Sequence, residues 1–131
     1  MILVFETKLR YKGGKDQDML IVKTKELLQN VVKRFTRIEK IVNKIDKESF
    51  DSSDDIKEII CFNLILIHEL IECLDKDIVN QYIGISWNKM KGICNVIDHD
   101  YGNTDFDKVW LAVTIDVKPL REYCERALKE N

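Results

Sequence analysis

Apolar residues recur every three or four positions over most of this chain, which is the spacing of one buried face of an α-helix. After Met19, the first such stripe is interleaved with lysines and arginines and predicts an amphipathic helix of about seven turns. Between Ile56 and Leu74, the segment IICFNLILIHELI is apolar around most of the helical circumference. A helix of that kind contacts several neighbours, so we expect it at the centre of the fold. The stripe of the first helix consists of Ile21, Leu28, Val31, Phe35, Ile38, Val42 and Ile45.

Polar residues and glycines mark where these helices begin and end. DSSDD, residues 51–55, supplies side-chain acceptors and negative charge at the start of the central helix. The short piece DKDIVNQY is followed by Gly84, which predicts a helix end, and Ser86 predicts the cap of a helix through WNKMKGICNVID. The last helix is predicted to follow the break at YGNTD and to run to about Lys129, bent at Pro119. Short connections and no alternation of strands with helices predict an all-α, four- to five-helix up-and-down bundle.

Residues 1–18 differ from this helical pattern. Apolar and polar residues partly alternate up to Tyr11, and KGGKDQD then has the composition of a turn or linker. We therefore divide the chain into an N-terminal extension, residues 1–18, and a helical bundle, residues 19–131. The extension is a short strand, an arm or a tail.

The net charge of the chain excludes a uniformly basic protein. The 131 residues carry a net charge of −2, so no global positive field favours nucleic acid, and an RNA partner would need a local patch. The polar side of the first helix is either an ordinary solvated face or such a patch. It carries Lys23, Lys25, Lys33, Arg34, Arg37, Lys40 and Lys44.

The cysteines and the N-terminus favour a reducing, cytoplasmic location. The four cysteines form no CxxC pair, so we expect free thiols that pack as small hydrophobic residues. The opening MILVF is too short for a signal peptide or a membrane span, so no membrane association is expected.

The segment CNVIDHDYGN, residues 94–103, carries the candidate chemistry. His99 lies between two aspartates, and a histidine is suited to moving protons near neutral pH. It is either a catalytic group or a polar residue at a helix end, and Tyr101 is a candidate structural tyrosine of the core or of an interface. HELIE, residues 68–72, differs from the zinc-protease motif HExxH because Glu72 replaces the second histidine, so we predict no metal site. Cys94 and His99 are five residues apart, about 140° around a helix, which is unsuitable for a Cys–His pair.

The stretch ISWNKMKGICNVIDHDYGNTDFDKVWLAVTIDVKPL resembles the C-terminal half of the HepT-like branch of the HEPN superfamily. The family has an RxxxxHxY motif, followed by a helix with Val-Trp and Asp-Leu-Pro-x-Leu. The upstream segment CFNLILIHELIECL is similar to a family helix that reads approximately FNL-x-x-IGEL. The matching positions are Asn63, Leu64, Ile67, Glu69, Trp87, Gly92, Asn95, His99, Tyr101, Val109, Trp110, Asp116, Pro119 and Leu120.

The resemblance implies a homodimeric toxin of a toxin–antitoxin pair, with a HEPN-like fold. Such a protein is a metal-independent ribonuclease that needs no cofactor and cleaves RNA in a cleft at the dimer interface. His99, Asn95 and the residue in the family's arginine slot would be its catalytic residues. The implied antitoxin is a minimal nucleotidyltransferase, which neutralises the toxin by transferring AMP to the motif tyrosine, here Tyr101.

Two positions depart from the family pattern, and one of them affects catalysis. Cys94 occupies the arginine slot, and His68 stands where the upstream motif has glycine. An arginine fork stabilises negative charge on the phosphoryl oxygens, which a thiol cannot do. Its loss costs on the order of 3 kcal/mol, or ~10²-fold in rate. The chain is therefore a weakened ribonuclease, an inactive HEPN domain kept as the dimeric partner of a nucleotidyltransferase, or a helical adaptor unrelated to RNA.

Overall fold

The computed structural model describes residues 14–131 of the chain, with side chains from Val22 onward. These residues form helices and connecting turns, without a β-strand in that range. The helices are α1 (Gly14–Val42), α2 (Lys47–Ser52), α3 (Asp54–Glu72), α4 (Lys76–Ile78), α5 (Gly84–His99), α6 (Phe106–Leu111) and α7 (Val117–Glu130). A π-helical turn, Val79–Ile83, joins α4 to α5, and a second, Ala112–Asp116, joins α6 to α7. The predicted all-α bundle is confirmed.

Helix α3 lies at the centre of the bundle, as its apolar sequence predicts. It packs against α1 on one side and α5 on another, and α1 also packs against α7. The stripe of α1 is buried from Leu28 to Val42, and Ile45 is half-buried. The largest fully buried side chains include Phe35, Ile60, Leu64, Met90 and Leu120, which come from four different helices.

Helix α1 begins at Gly14, earlier than the predicted start at Met19. The last residues of the segment expected to be a turn are thus helical. The rest of the predicted extension, residues 1–13, lies outside the described residues.

Two short caps shape the connection between α1 and α3. Asp46 accepts a hydrogen bond from the Ser49 amide at 2.8 Å and begins α2, a helix that the apolar spacing did not predict. Ser53 then caps α3 by accepting from the Ile56 amide at 3.2 Å, as expected for the DSSDD cluster. Phe50 of α2 is fully buried, and its ring centroid lies 5.1 Å from that of Trp110.

Gly84 ends the helical turn before it, as predicted, and Pro119 lies next to a second irregular turn. Gly84 has a φ of 53° and follows a π-helical turn, but α5 begins at that residue and Ser86 lies inside the helix instead of capping it. Pro119 lies in the first turn of α7, directly after the second π-helical turn. The proline ring removes one amide donor and crowds the preceding helical turn, which here is the π-helical turn.

The described helices are too short or too polar for a bilayer. None of them is both long and apolar enough to span a membrane.

Candidate functional site

The candidate site lies where α5 ends. Asp100 leaves the helical conformation, with φ −153° and ψ 60°, and its amide still donates to the Val96 carbonyl oxygen at 2.8 Å. The side-chain Nδ2 of Asn103 donates to the Asp100 carboxylate at 2.7 Å. The backbone amide of Asn103 donates to the Asp100 carbonyl oxygen at 2.9 Å, at a short 3₁₀ turn over residues 101–103. This break places His99 and Tyr101 at the same end of the bundle.

His99 is accessible to a substrate. Its side chain is 77% exposed, and its Nε2 lies 3.8 Å from a carboxylate oxygen of Asp98. The two form an ion pair when the ring is protonated, and solvent screens it strongly. The ring is therefore available to accept or donate a proton at the protein surface.

Asn95 lies one helical turn before His99, so the two side chains share one face of α5. Asn95 is also exposed. Its amide can donate a hydrogen bond to a group held beside the imidazole. The structure thus brings together two of the three residues predicted to be catalytic.

Cys94 is separated from these two residues. It is fully buried, and its Sγ donates a hydrogen bond to the backbone carbonyl oxygen of Leu64 at 3.5 Å. Burial raises the pKa of the Cys94 thiol to about 12, with smaller contributions from Cys61 and Asp98. The thiol is therefore protonated at physiological pH and supplies no charge to the site.

Tyr101 is 40% exposed and packs edge-on against Phe106, with ring centroids 5.7 Å apart. Partial burial raises the pKa of the Tyr101 phenol, and the nearby Cys61, Glu58 and Asp54 raise it further. The phenol is neutral at physiological pH, and its hydroxyl can be reached from solvent. A reaction at its oxygen would need a base to remove the proton.

The acidic surroundings of this bend were not predicted from the sequence. Asp98 and Asp100 flank His99 in the chain, whereas Glu58 and Asp54 come from the start of α3, which packs near Tyr101. The sequence itself shows that Asp98 and Asp100 are adjacent to His99. It does not show that Glu58 and Asp54 lie near Tyr101, because that proximity depends on the packing of α3 against the bend.

A buried carboxylate lies deeper in α3. Glu69 is 8% exposed, and its Oε2 has no hydrogen-bond partner among the described residues. Burial raises the pKa of Glu69, and Asp98 adds to the shift. Asn63, one of the matches to the family pattern, is satisfied: it donates to the Ile59 carbonyl oxygen at 2.8 Å and accepts from Arg34 at 3.3 Å.

An apolar groove of about 490 Å³ runs beside the candidate site, between α5 and the segment that leads into α6. Its apolar lining includes Gly92, Ile93, Val96 and Leu111. Val96 and Leu111 are 42% and 52% exposed, so this face of the described chain is open to an apolar partner.

Ion pairs and aromatic packing hold the side chains of the HELIE segment. His68 Nε2 lies 3.2 Å from Glu72 Oε1, Lys91 Nζ lies 3.0 Å from the same oxygen, and the imidazole packs beside Trp87 at 6.1 Å. Across residues 14–131, no group of three or more histidines, cysteines and carboxylates is arranged to hold a metal ion. His68 is a half-buried structural residue that pairs with Glu72.

Comparison with known proteins gives two matches. The sequence profile of the family described as "Ribonuclease HepT-like" matches residues 32–127. A protein of Methanocaldococcus jannaschii named "Putative RNase MJ0125" is 23% identical over 106 residues, which cover 81% of this chain and 91% of that protein. No solved structure matches the chain at a comparable level of significance.

Proposed function

Because the chain belongs to the ribonuclease HepT-like family of the HEPN superfamily, we propose that it is a ribonuclease toxin subunit that cuts cytoplasmic RNA without a metal ion. Cleavage takes place in a cleft that two copies of the chain form around His99. The observation that carries this proposal is the exposure of the His99 imidazole, 77% accessible beside the exposed Asn95 at the end of α5.

The chemistry needs proton transfer at two oxygens. The ribose 2′-oxygen attacks the adjacent phosphorus and loses its proton to a base, while the bond to the 5′-oxygen breaks and that oxygen takes up a proton. The product ends are a 2′,3′-cyclic phosphate and a 5′-hydroxyl. Two imidazoles, one from each copy, suit the two roles because a histidine exists in both protonation states near neutral pH.

Stabilisation of the phosphoryl oxygens is the weak point of this mechanism. Cys94 is buried and neutral, so the Asn95 amide is the nearest donor for a phosphoryl oxygen on the same helix. Loss of a charged donor costs ~10²-fold in rate. The buried Cys94 therefore favours a second candidate function, that of a catalytically inactive HEPN domain which serves as the dimeric partner of a nucleotidyltransferase.

Tyr101 is the proposed point of control by a minimal nucleotidyltransferase antitoxin. Its phenol oxygen would attack the α-phosphorus of ATP, release pyrophosphate and lose its proton, which leaves AMP on the ring. The added phosphate would bring more negative charge beside Glu58 and Asp54 and repel the RNA backbone from His99.

A cleavage assay with matched histidine variants tests the proposal. The full chain is incubated with an RNA oligonucleotide in excess EDTA, and the product ends are identified by mass spectrometry. We expect cyclic phosphate ends from the wild type and from His68→Gln, but not from His99→Gln. Both variants lose an imidazole, and His68 serves as the control because it is half-buried against Trp87. Absence of cleavage by folded wild-type protein would refute the ribonuclease and favour the inactive partner.

The modification is tested by co-expression with a nucleotidyltransferase. We expect the intact mass to rise by one AMP residue, and we expect Tyr101→Phe to abolish that rise. Tyr123→Phe is the control, because Tyr123 is similarly exposed, at 36%, but lies on α7. An unchanged wild-type mass would remove the proposed control of Tyr101.

A further inference from the structure

Four cations form a stripe along the outer face of α1 and the turn that follows it. Lys33, Arg37 and Lys40 follow one another at steps of four and three residues, which places them on one side of the helix axis. Lys44 continues the series in the turn after the end of α1. All four are exposed. At 1.5 Å per residue, the stripe extends over about 16 Å.

These cations lack the acidic partners that hold several other basic residues of the described bundle. Lys47 is held by Asp51 and Asp107 at 2.7 Å each, and Lys91 by Glu72 at 3.0 Å. Within the part of the chain that the structure describes, no side chain of the α1 stripe takes part in an ion pair or hydrogen bond. Glu39, the acidic residue within this part of α1, is turned toward α7 and binds Arg121. The positive charge of the stripe is therefore not neutralised by the described protein.

The candidate site has the opposite charge. Asp98 and Asp100 flank His99, and Asp54 and Glu58 lie near Tyr101. Phosphates of an RNA strand are repelled there, so attraction has to come from another part of the surface. With a net charge of −2, the chain as a whole does not provide it.

The stripe is within reach of that site. Arg34 of α1 donates to Asn63 of α3 at 3.3 Å, and Cys94 of α5 donates to Leu64, the next residue of α3, at 3.5 Å. Helix α3 thus lies between α1 and α5. With 8–10 Å between neighbouring helix axes, the axes of α1 and α5 lie about 20 Å apart. Because the stripe faces away from α3, the path over the surface to His99 is longer than this, and an RNA strand needs several nucleotides to follow it.

We propose that the α1 stripe binds the phosphate backbone of the RNA strand, several nucleotides from the phosphodiester that meets His99. This inference rests on the proposed function for its choice of RNA. Each cation displaces condensed counterions from the strand, so binding is sequence-independent and weakens as salt is added. Lys33, Arg37, Lys40 and Lys44 hold the strand, and His99 acts on it.

Salt dependence of binding tests the stripe directly. A single-stranded RNA oligonucleotide with 2′-O-methyl groups, which block attack by the 2′-oxygen, is titrated with the full chain, and fluorescence anisotropy is recorded. For four phosphate contacts we expect the affinity to fall about fifty-fold between 50 and 200 mM salt. Arg37→Gln/Lys40→Gln leaves two contacts, so its affinity should fall only about sevenfold over the same range.

The control variant removes the same number of positive charges from another part of the surface. Lys76→Gln/Lys129→Gln removes two exposed lysines of α4 and α7 and should keep the fifty-fold fall of the wild type. Equal salt dependence for the wild type and Arg37→Gln/Lys40→Gln, both folded by circular dichroism, would overturn the assignment. So would absence of RNA binding by the wild type.

Failure of this inference can be told apart from failure of the ribonuclease. Binding to the methylated strand needs no chemistry, so a dependence on the stripe without cleavage of ordinary RNA supports the stripe and refutes only the enzyme. The opposite outcome refutes only the stripe. In that case the wild type and Arg37→Gln/Lys40→Gln cleave RNA equally well at 200 mM salt and bind the methylated strand with equal affinity.

Discussion

The thiol of Cys94 donates a hydrogen bond to the backbone carbonyl oxygen of Leu64, 3.5 Å away, across the contact between α5 and α3. Position 94 therefore faces the core, although the resemblance drawn from the sequence assigns it to the family's arginine slot. A small residue fills this position completely, since the exposed fraction of Cys94 is 0%. An arginine at this position would place a large charged side chain in the buried contact between α5 and α3.

The first prediction compares two substitutions of Cys94. Cys94→Ala removes one buried sulfur atom and should lower the free energy of unfolding by roughly 1 kcal/mol. Cys94→Arg forces a charged group into the contact with Leu64 and should cost about 3–5 kcal/mol, as an unpaired buried charge does. Urea denaturation of both variants measures the difference. A Cys94→Arg protein as stable as Cys94→Ala would show that the arginine side chain reaches the surface. Its ribonuclease activity would then test whether an arginine at this position contributes to catalysis.

The second prediction concerns the pH dependence of stability. Burial raises the pKa of Glu69 above its ordinary value of 4.5, so the folded chain binds this proton more tightly than the unfolded chain. The corresponding stability is complete below about pH 4.5 and is lost as the pH rises through the folded pKa. Between pH 4.5 and 7, the wild type should therefore lose stability relative to Glu69→Gln, which carries no ionisable group.

Glu58→Gln, on the exposed side of the same helix, is the control for this measurement. The free energy of unfolding of all three proteins is followed from pH 4 to 7. A difference between the wild type and Glu69→Gln that stays constant over this range would contradict the raised pKa.

The third prediction tests the role of α2. Phe50 is fully buried, with its ring centroid 5.1 Å from Trp110 and 6.4 Å from Phe106, so it anchors α2 on α6. Phe50→Ala should cost about 3–5 kcal/mol. Phe62→Ala removes a ring that is 48% exposed and should change stability by less than about 1 kcal/mol. Equal losses in thermal or urea unfolding would mean that α2 is not held by this side chain.

Local pattern was sufficient to predict α1, α3 and α5, because each carries an apolar stripe long enough to dominate its own conformation. It missed α2, whose single anchor Phe50 is buried only after Trp110 arrives from a distant part of the sequence. The two π-helical turns were missed for a related reason, since an extra residue in a helical turn leaves the apolar spacing almost unchanged.

The candidate site, too, could be predicted from the sequence only in part. The exposed His99 and Tyr101 follow from a helix end that the sequence marks with YGN. The burial of Cys94 depends on the direction in which α5 meets α3, and the acidic surroundings of Tyr101 depend on where α3 begins. A motif gives the order of its residues along the chain, but not which of them face solvent.

The last prediction tests the proposed dimer. A cleft that contains two imidazoles requires the twofold contact to lie close to His99, and the apolar groove beside α5 is adjacent to it. Val96→Asp/Leu111→Asp places two charges on this face, which is already solvent-accessible in the single chain. We expect the variant to remain folded and to elute as a monomer when light scattering is recorded after size exclusion, while the wild type elutes as a dimer.

Ile59→Asp is the control for this experiment, because Ile59 is 43% exposed but lies on α3, away from the groove. It should remain a dimer. Dissociation by Ile59→Asp in place of the double variant would move the interface to α3. In a wild-type monomer, the two imidazoles could not meet, and the ribonuclease mechanism would fail with the dimer. If the dimer dissociates only in Val96→Asp/Leu111→Asp, cleavage should disappear with it, although His99 itself is unchanged.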